Sequence, residues 1–255
     1  MSRIVIGLVV AFLMVTQTEA ASIKVWSNDY VGAMRIEGEI EIGDAKKFYD
    51  AVNKTPTTSM ISKVQLFSSG GNVYEAMKLG MMVRHLMMET VVPSKSGYGV
   101  PEPWWGHDDD RLEDESNNTC DSACFFIYVG GVVRTGSWLR VHRPTLTQII
   151  GAKIDYGTSS KVANKANDDI GRYLRQMQVP AMVQDIMNST PSYELKVLDD
   201  EIVKTLELSP SYEEWLVSKC GANYLSQNEC VGKAYRQSTL KAREAFEATF
   251  ERLVN

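Results

Sequence analysis

Residues 64–92 carry the sequence VQLFSSGGNVYEAMKLGMMVRHLMMETVV, and this stretch decides the fold. The apolar run Val64–Phe67 predicts a short strand, and the double glycine that follows it predicts a turn. Residues 73–88 place apolar side chains at helical spacing, and Thr90–Val92 predicts the next strand. A strand, a helix and a second strand in this order are typical of a crossover unit in a parallel sheet.

Regular elements are also predicted on both sides of this stretch. They are strands at Ile23–Trp26 and Gly32–Ile36, helices at Ala45–Asn53, Thr158–Gln178 and Pro180–Met187, and a helical tail from Ser226 to Leu253. We therefore predict an α/β fold with a mostly parallel sheet and a C-terminal helical extension.

The composition is that of a globular protein, because 44% of the 255 residues are hydrophobic and can bury a core. The formal net charge is −5 and the sequence pI is about 5.4, and no basic stretch dominates. Nucleic-acid binding is therefore not expected, since it depends on clustered lysine and arginine side chains.

The N-terminus has the layout of a secretory signal peptide. Arg3 precedes the apolar run Ile4–Val15, and small residues around Ala20 and Ala21 offer a cleavage site. The apolar run is too short to cross a bilayer comfortably, although a retained anchor is the alternative. We predict a signal peptide over residues 1–21, export to the periplasm or the medium, and no stable membrane span after its removal.

The four cysteines fit an oxidising compartment. Cys220 and Cys230 enclose a short segment, and we expect them to form a disulfide. Cys120 and Cys124 straddle Ser122. They can pair if the backbone between them is not yet helical, since residues four apart in a regular helix are poorly placed for a disulfide.

No metal ion and no cofactor are expected. His85, His107 and His142 show no ligand spacing with the cysteines. The chain also lacks a phosphate-binding loop of the Walker type, so its activity is expected not to require nucleotide.

Residues 93–119 interrupt the regular pattern with prolines, two tryptophans and a run of acidic residues. We predict a long inserted surface loop here. Such loops are either functional, as a lid or a subunit contact, or simply solvated.

Ser122 is a candidate nucleophile. It precedes the compact apolar run Cys124–Val129, which predicts a buried helix, and His142 lies twenty residues further along the chain. A serine presented at the start of a buried helix can act as a nucleophile if a histidine lies within reach to take its proton. The alternative is that Ser122 only caps the helix. Cys124 is a weaker rival nucleophile, because its position predicts a buried and inert sulfur.

Three segments, Ser68–Val73, Cys120–Cys124 and Val141–Pro144, occur in a characteristic order. Together they resemble the Clp protease/crotonase superfamily, and specifically exported members of its Clp-type serine peptidase branch. The resemblance implies repeated β-β-α units. This sequence departs from the family pattern at two places. Ser69-Gly70-Gly71 lacks the family's proline, and Arg143 stands where the family has glutamine.

The resemblance also implies the roles of individual residues. Ser122 would be the nucleophile and His142 the general base, and the backbone N–H groups of Gly71 and Ala123 would bind the oxyanion. The family's third member is an aspartate, but the matching region, Met187–Thr190, contains none. Asn188 is the candidate for this position, and Asp185 is the alternative.

We therefore predict an exported serine hydrolase, an ATP-independent peptidase acting on peptide or protein substrates. The alternative is a catalytically inactive Clp-like scaffold for oligomerisation or partner binding, and acyl-CoA binding is a third, less favoured reading because an exported chain meets little CoA. The predicted organisation is a Clp/crotonase-like domain at 22–210, with 93–119 inserted, and a C-terminal extension at 211–255. Self-association into a homo-oligomer is a further expectation.

Overall fold

The computed structural model describes residues 20–28, 31–56, 58–95, 115–150 and 156–254. The predicted signal peptide, apart from Ala20 and Ala21, lies outside the described residues, and so do His107 and most of the predicted acidic loop. Within the described ranges, no helix combines the length and the apolar character needed to cross a membrane.

The described residues form both strands and helices, and the described chain ends with three successive α-helices. The strands are β1 (Ser22–Ser27), β2 (Val31–Glu37), β3 (Met60–Phe67), β4 (Glu89–Val91), β5 (Cys120–Asp121), β6 (Val133–Thr135), β7 (Leu139–Val141) and β8 (Lys196–Val197). The helices are α1 (Asp44–Lys54), α2 (Val73–His85), α3 (Cys124–Tyr128), α4 (Leu146–Ile150), α5 (Tyr156–Gln176), α6 (Ala181–Ser189), α7 (Asp200–Leu206), α8 (Pro210–Cys220) and α9 (Asn228–Val254).

The strands form two sheets. The larger has the order β1-β2-β3-β4-β6, with β1 antiparallel to β2 and the other three neighbouring pairs parallel. The smaller has the order β5-β7-β8, with β5 parallel to β7 and β8 antiparallel to β7. An isolated parallel bridge between Ser68 and Cys120 connects the end of β3 to the smaller sheet. The fold is therefore α/β with mixed sheets, and the finer β-β-α repeat stays a prediction.

The stretch that decides the fold has the predicted order of elements. β3 ends at Phe67, α2 begins at Val73 and β4 follows. The helix ends at His85, before the predicted Met88, because Met87 has a left-handed backbone with φ 56° that cannot continue an α-helix. Asn72 caps the start of α2 by accepting a hydrogen bond from the N–H of Glu75.

Small residues let α2, α3 and α5 approach closely. A Cβ atom on Gly130, just after α3, would lie 2.3 Å from the carbonyl oxygen of Gly80 in α2. The hydroxyl of Tyr173 in α5 donates to the carbonyl of Phe126 in α3 at 2.6 Å. The short helix after Ser122 is thus held from two sides, and every residue from Cys124 to Tyr128 is buried.

A buried arginine ties the carboxyl ends of several helices together. Arg134 is only 2% exposed and donates to the carbonyl oxygens of Val129, Gly131, Met177 and Leu206, which lie at or just beyond the ends of α3, α5 and α7. These carbonyls have no partner inside their own helices, so a cation is well placed there. Burial, together with the neighbouring Arg84, lowers the pKa of Arg134 to about 10.

The C-terminal helix packs onto the same core. Phe246 of α9 is fully buried among the core side chains, and Arg243 donates to the carbonyl oxygens of Val52 and Thr55 at the end of α1. A second apolar cluster joins α8 and the start of α9 to Val132. The predicted C-terminal extension is therefore helical and contacts the α/β part directly.

Candidate active site

The site is built on the glycine turn after β3. Gly70 and Gly71 have φ values of 109° and 126°, which side chains rarely permit. A Cβ atom on Gly71 would also lie 2.2 Å from the carbonyl oxygen of Ile40. Ile40 donates its N–H to Gly70 and accepts from the N–H of Asn72, both at 2.7 Å. These bonds fix the turn against residue 40, and among the described residues none uses the N–H of Gly71.

Ser122 lies directly against this turn. A Cβ atom on Gly70 would be 2.8 Å from the Cβ of Ser122, so only glycine allows this approach. Ser122 has a left-handed backbone with φ 52°, is 5% exposed, and donates its N–H to the carbonyl of Arg140 at 2.8 Å. This conformation turns the chain from β5 into α3.

The alternative of a simple helix cap does not describe Ser122. Ala123 occupies the N-cap position of α3, and among the described residues no side chain caps that helix. The N–H of Ala123 donates to no described backbone carbonyl. Neither the N–H of Gly71 nor that of Ala123 donates to a described backbone carbonyl, and their role as an oxyanion hole stays a prediction.

His142 lies at the same edge of the smaller sheet as Ser122. Ser122 directly follows β5 and His142 directly follows β7, and these strands pair in parallel with Asp121 opposite Arg140. Adjacent strands are about 4.8 Å apart, so residues that follow their carboxyl ends are neighbours. His142 is 6% exposed.

The tautomer of neutral His142 follows from its hydrogen bond. Its Nδ1 lies 2.9 Å from the carbonyl oxygen of Arg143. A carbonyl only accepts, so Nδ1 carries the proton and Nε2 keeps its lone pair. A general base toward a serine hydroxyl needs this form of imidazole.

The predicted third member lies on α6. Asn188 and Asp185 are both exposed, and among the described contacts neither forms a hydrogen bond to His142. The segment after this helix contacts the residue that follows His142, because the carbonyl of Thr190 accepts a hydrogen bond from the N–H of Arg143 at 3.0 Å. The role of Asn188, with Asp185 as its alternative, stays a prediction.

Gln148 is a site residue that the sequence analysis missed. Its Nε2 donates to the Oγ of Ser122 at 3.2 Å, while its Oε1 accepts from the N–H and the hydroxyl of Thr145. The hydroxyl of Thr145 accepts the N–H of Gln148 in return. This is a capping box at the start of α4, and the spacing of threonine and glutamine was a readable signal for it.

A pocket of about 370 Å³ opens at the glycine turn, and neither Ser122 nor His142 is among the residues that line it. It is lined by residues 39–42, by Gly71 and Asn72 of the glycine turn, and by Thr147 and Gln148 of α4. Ile42 on its rim is 72% exposed.

An ion pair joins β5 to β7 next to the serine. Arg140 donates from Nε and Nη2 to the two carboxylate oxygens of Asp121 at 2.6 and 2.5 Å. Thr119 adds a hydrogen bond to the same carboxylate at 2.7 Å, and Trp138 stacks on the guanidinium. Asp121 is only 3% exposed, so the pair is well shielded on the carboxylate side.

Both cysteine pairs are disulfides, which confirms the predicted Cys220–Cys230 bond. Cys120 pairs with Cys124 across Ser122, with their Cα atoms 5.3 Å apart. The backbone between the two cysteines is not helical, as this pairing requires, because Cys120 lies in β5 and the helix begins only at Cys124. The sulfur of Cys124 is thus not a free nucleophile.

Comparisons of the chain with protein-family models, with curated proteins and with solved structures found no match. Within the described ranges, no three His, Cys, Asp or Glu side chains are grouped so as to hold a metal ion.

Proposed function

We propose that this chain is an exported serine hydrolase similar to the Clp-type peptidases, acting without ATP on peptide or protein substrates. The observation that supports this most is the backbone of Ser122. A serine in a left-handed conformation, next to N–H groups that donate to no described backbone carbonyl and directly after the strand that pairs with the one leading to His142, has surroundings compatible with a nucleophile. Among the described contacts, no hydrogen bond joins Ser122 Oγ to His142.

The reaction would follow the usual two steps of acyl transfer. Ser122 Oγ attacks the substrate carbonyl while its proton passes to His142 Nε2. The N–H groups of Gly71 and Ala123 stabilise the oxyanion, at about 3 kcal/mol for each donor. His142 then protonates the leaving amine as the C–N bond breaks, and a water molecule hydrolyses the acyl-enzyme by the same route.

Gln148 is compatible with this chemistry. A hydroxyl has one donor and two acceptor positions, so a hydrogen bond received from Gln148 occupies one lone pair of Ser122 Oγ. The hydroxyl proton stays available to His142. The carbonyl of Arg143 would steady the imidazole by accepting from Nδ1, although it supplies no full negative charge to stabilise imidazolium.

The second candidate is a non-catalytic scaffold for oligomerisation or partner binding. Two observations favour it: His142 has no carboxylate partner among the described contacts, and Gln148 is the described partner of Ser122 Oγ. Self-association belongs to either proposal and is measured by sedimentation velocity.

Hydrolysis of casein and of activated esters by the mature chain tests the proposal. The parent is expected to be active, and Ser122→Ala and His142→Ala are expected to lose about 1,000-fold or more in kcat/KM. Ser69→Ala is the matched control, because Ser69 is an exposed serine on the neighbouring turn. An inactive parent, or equal activity in Ser122→Ala, would support the scaffold instead.

A further inference from the structure

The Cys120–Cys124 disulfide encloses Ser122 in a loop of five residues. Its two ends lie in different elements, since Cys120 belongs to β5 and Cys124 is the first residue of α3. Ser122 is therefore the middle residue of a covalent ring that joins the end of a strand to the start of a helix.

The backbone of Ser122 needs such a restraint. A non-glycine residue in the left-handed region is disfavoured by about 1–2 kcal/mol. The local alternative is to extend α3 backwards through Ser122 to Cys120, which would place Cys120 and Cys124 four apart in a regular helix. That spacing suits a disulfide poorly, so the bond disfavours the helical alternative.

The other restraints on Ser122 are not covalent: its N–H donates to Arg140, its carbonyl accepts from the N–H of Phe125, and its Oγ accepts from Gln148. The N–H bond to Arg140 and the contact with Gly70 place residue 122 beside β7 and the glycine turn. The chain after Ser122 is also held by the packing of α3 against α2 and α5, and the disulfide adds a covalent link between β5 and the start of that helix. This link restricts the turn at Ser122, and with it the direction of the Oγ and of the N–H of Ala123.

We propose that this disulfide is a positioning element for the reaction at Ser122, which rests on the proposed hydrolase function. Both sulfur-bearing residues are fully buried, so the bond is not accessible to thiols in the folded protein. It must form during folding. The chain consequently reaches its reactive geometry only when it folds under oxidising conditions.

The test compares two disulfide-free variants, Cys120→Ala/Cys124→Ala and the matched control Cys220→Ala/Cys230→Ala. Acylation by a fluorophosphonate is measured over a range of probe concentrations, which separates the maximal rate from the apparent affinity. We expect the first variant to lose at least about tenfold in the maximal rate with little change in affinity, because small misplacements of reacting groups are costly. The control variant should keep the parental rate.

Thermal unfolding of each variant accompanies the kinetics, so that loss of the fold is not mistaken for misplacement. If the first variant does not fold, it is replaced by Cys120→Val/Cys124→Ala. The valine fills more of the buried volume that the cysteine side chains occupied. Equal maximal rates in the parent and the folded variant would overturn the positioning role while leaving the hydrolase function intact. A parent that is not acylated would overturn the function itself, and the positioning role with it.

Discussion

At the scale of single residues, the candidate site depends on backbone conformations that ordinary residues avoid. Gly70 and Gly71 can adopt positive φ values at low cost, and they sit within van der Waals contact of Ser122 and Ile40. Ser122 is different, because it adopts φ 52° with a side chain. Such outliers often occur at active sites, where the surrounding structure enforces them.

The Ser122→Gly variant should therefore have a higher free energy of unfolding than the Ser122→Ala variant. Both Ser122→Gly and Ser122→Ala remove the hydroxyl and its hydrogen bond to Gln148, but only glycine adopts the left-handed conformation without a steric cost. We expect Ser122→Gly to exceed Ser122→Ala by about 1 kcal/mol in free energy of unfolding. Urea denaturation of the two variants measures the difference, and a more stable alanine variant would show that residue 122 is not left-handed in solution.

At the scale of elements, the two catalytic candidates are neighbours because β5 and β7 pair in parallel. Each strand is short, and their backbone bonds are few. The ion pair between Asp121 and Arg140 adds a link between the side chains of these strands. Bidentate pairs of this kind are the stronger ones, and this carboxylate is buried.

Asp121→Asn is expected to lower the free energy of unfolding by about 1–3 kcal/mol, because a partly buried guanidinium loses its charged partner. Asp50→Asn is the matched control. It breaks a pair with Lys46 whose side chains are 45% and 60% exposed, so its effect should stay within about 0.5 kcal/mol. Chemical denaturation near neutral pH gives both numbers, and equal effects would contradict a structural role for the Asp121–Arg140 pair.

Asp169 in α5 makes the stability depend on pH. A hydrogen bond from Lys165 is the main cause that holds the pKa of Asp169 below its ordinary value of 3.8, and Tyr74 of α2 also donates to it. A carboxylate whose pKa is lowered by folding stabilises the fold at pH values above its pKa in the unfolded chain. This stabilisation is lost as the pH falls through its pKa in the folded protein.

The parent should therefore lose this contribution below about pH 4, the ordinary aspartate range. Asp169→Asn should be less stable than the parent at pH 7, and the gap should narrow as the pH falls below about 4. Urea midpoints across this range measure the gap. A gap that stays constant with pH would show that the carboxylate is not selectively stabilised in the fold.

The long periodic elements could be predicted from the sequence, and the contacts between distant residues could not. β3, the glycine turn and α2 follow from local apolar spacing. β5 has two residues and no periodicity, so its pairing with β7, and with it the Asp121–Arg140 ion pair, was not predictable. The bond from Gln148 to Ser122 was missed for a similar reason, since it depends on how α4 packs.

At the scale of the whole molecule, the helical C-terminal part and the α/β part share a core. Phe246 of α9 is fully buried, and its ring lies 5.6 Å from that of Tyr49 in α1. The sequence predicted the helix, but its docking face was not readable because many charged residues are spread along it.

Phe246→Ala should therefore lower the free energy of unfolding by about 3–5 kcal/mol, as is usual for a large side chain removed from a core. Glu247→Ala, which changes the exposed neighbour, should alter it by no more than about 0.5 kcal/mol. Unfolding is expected in one transition by both fluorescence and circular dichroism. Two separate transitions, with Phe246→Ala shifting only one, would show that α9 does not belong to the common core.

We propose Ser122 as the nucleophile of a hydrolase. Mapping a fluorophosphonate adduct by mass spectrometry tests it most directly, because the phosphorus bonds to the attacking oxygen as fluoride leaves. We expect one adduct per chain, on Ser122, and none in His142→Ala under the same conditions. The absence of any adduct on the folded parent, or an adduct on Ser68 or Ser69 in place of Ser122, would contradict it.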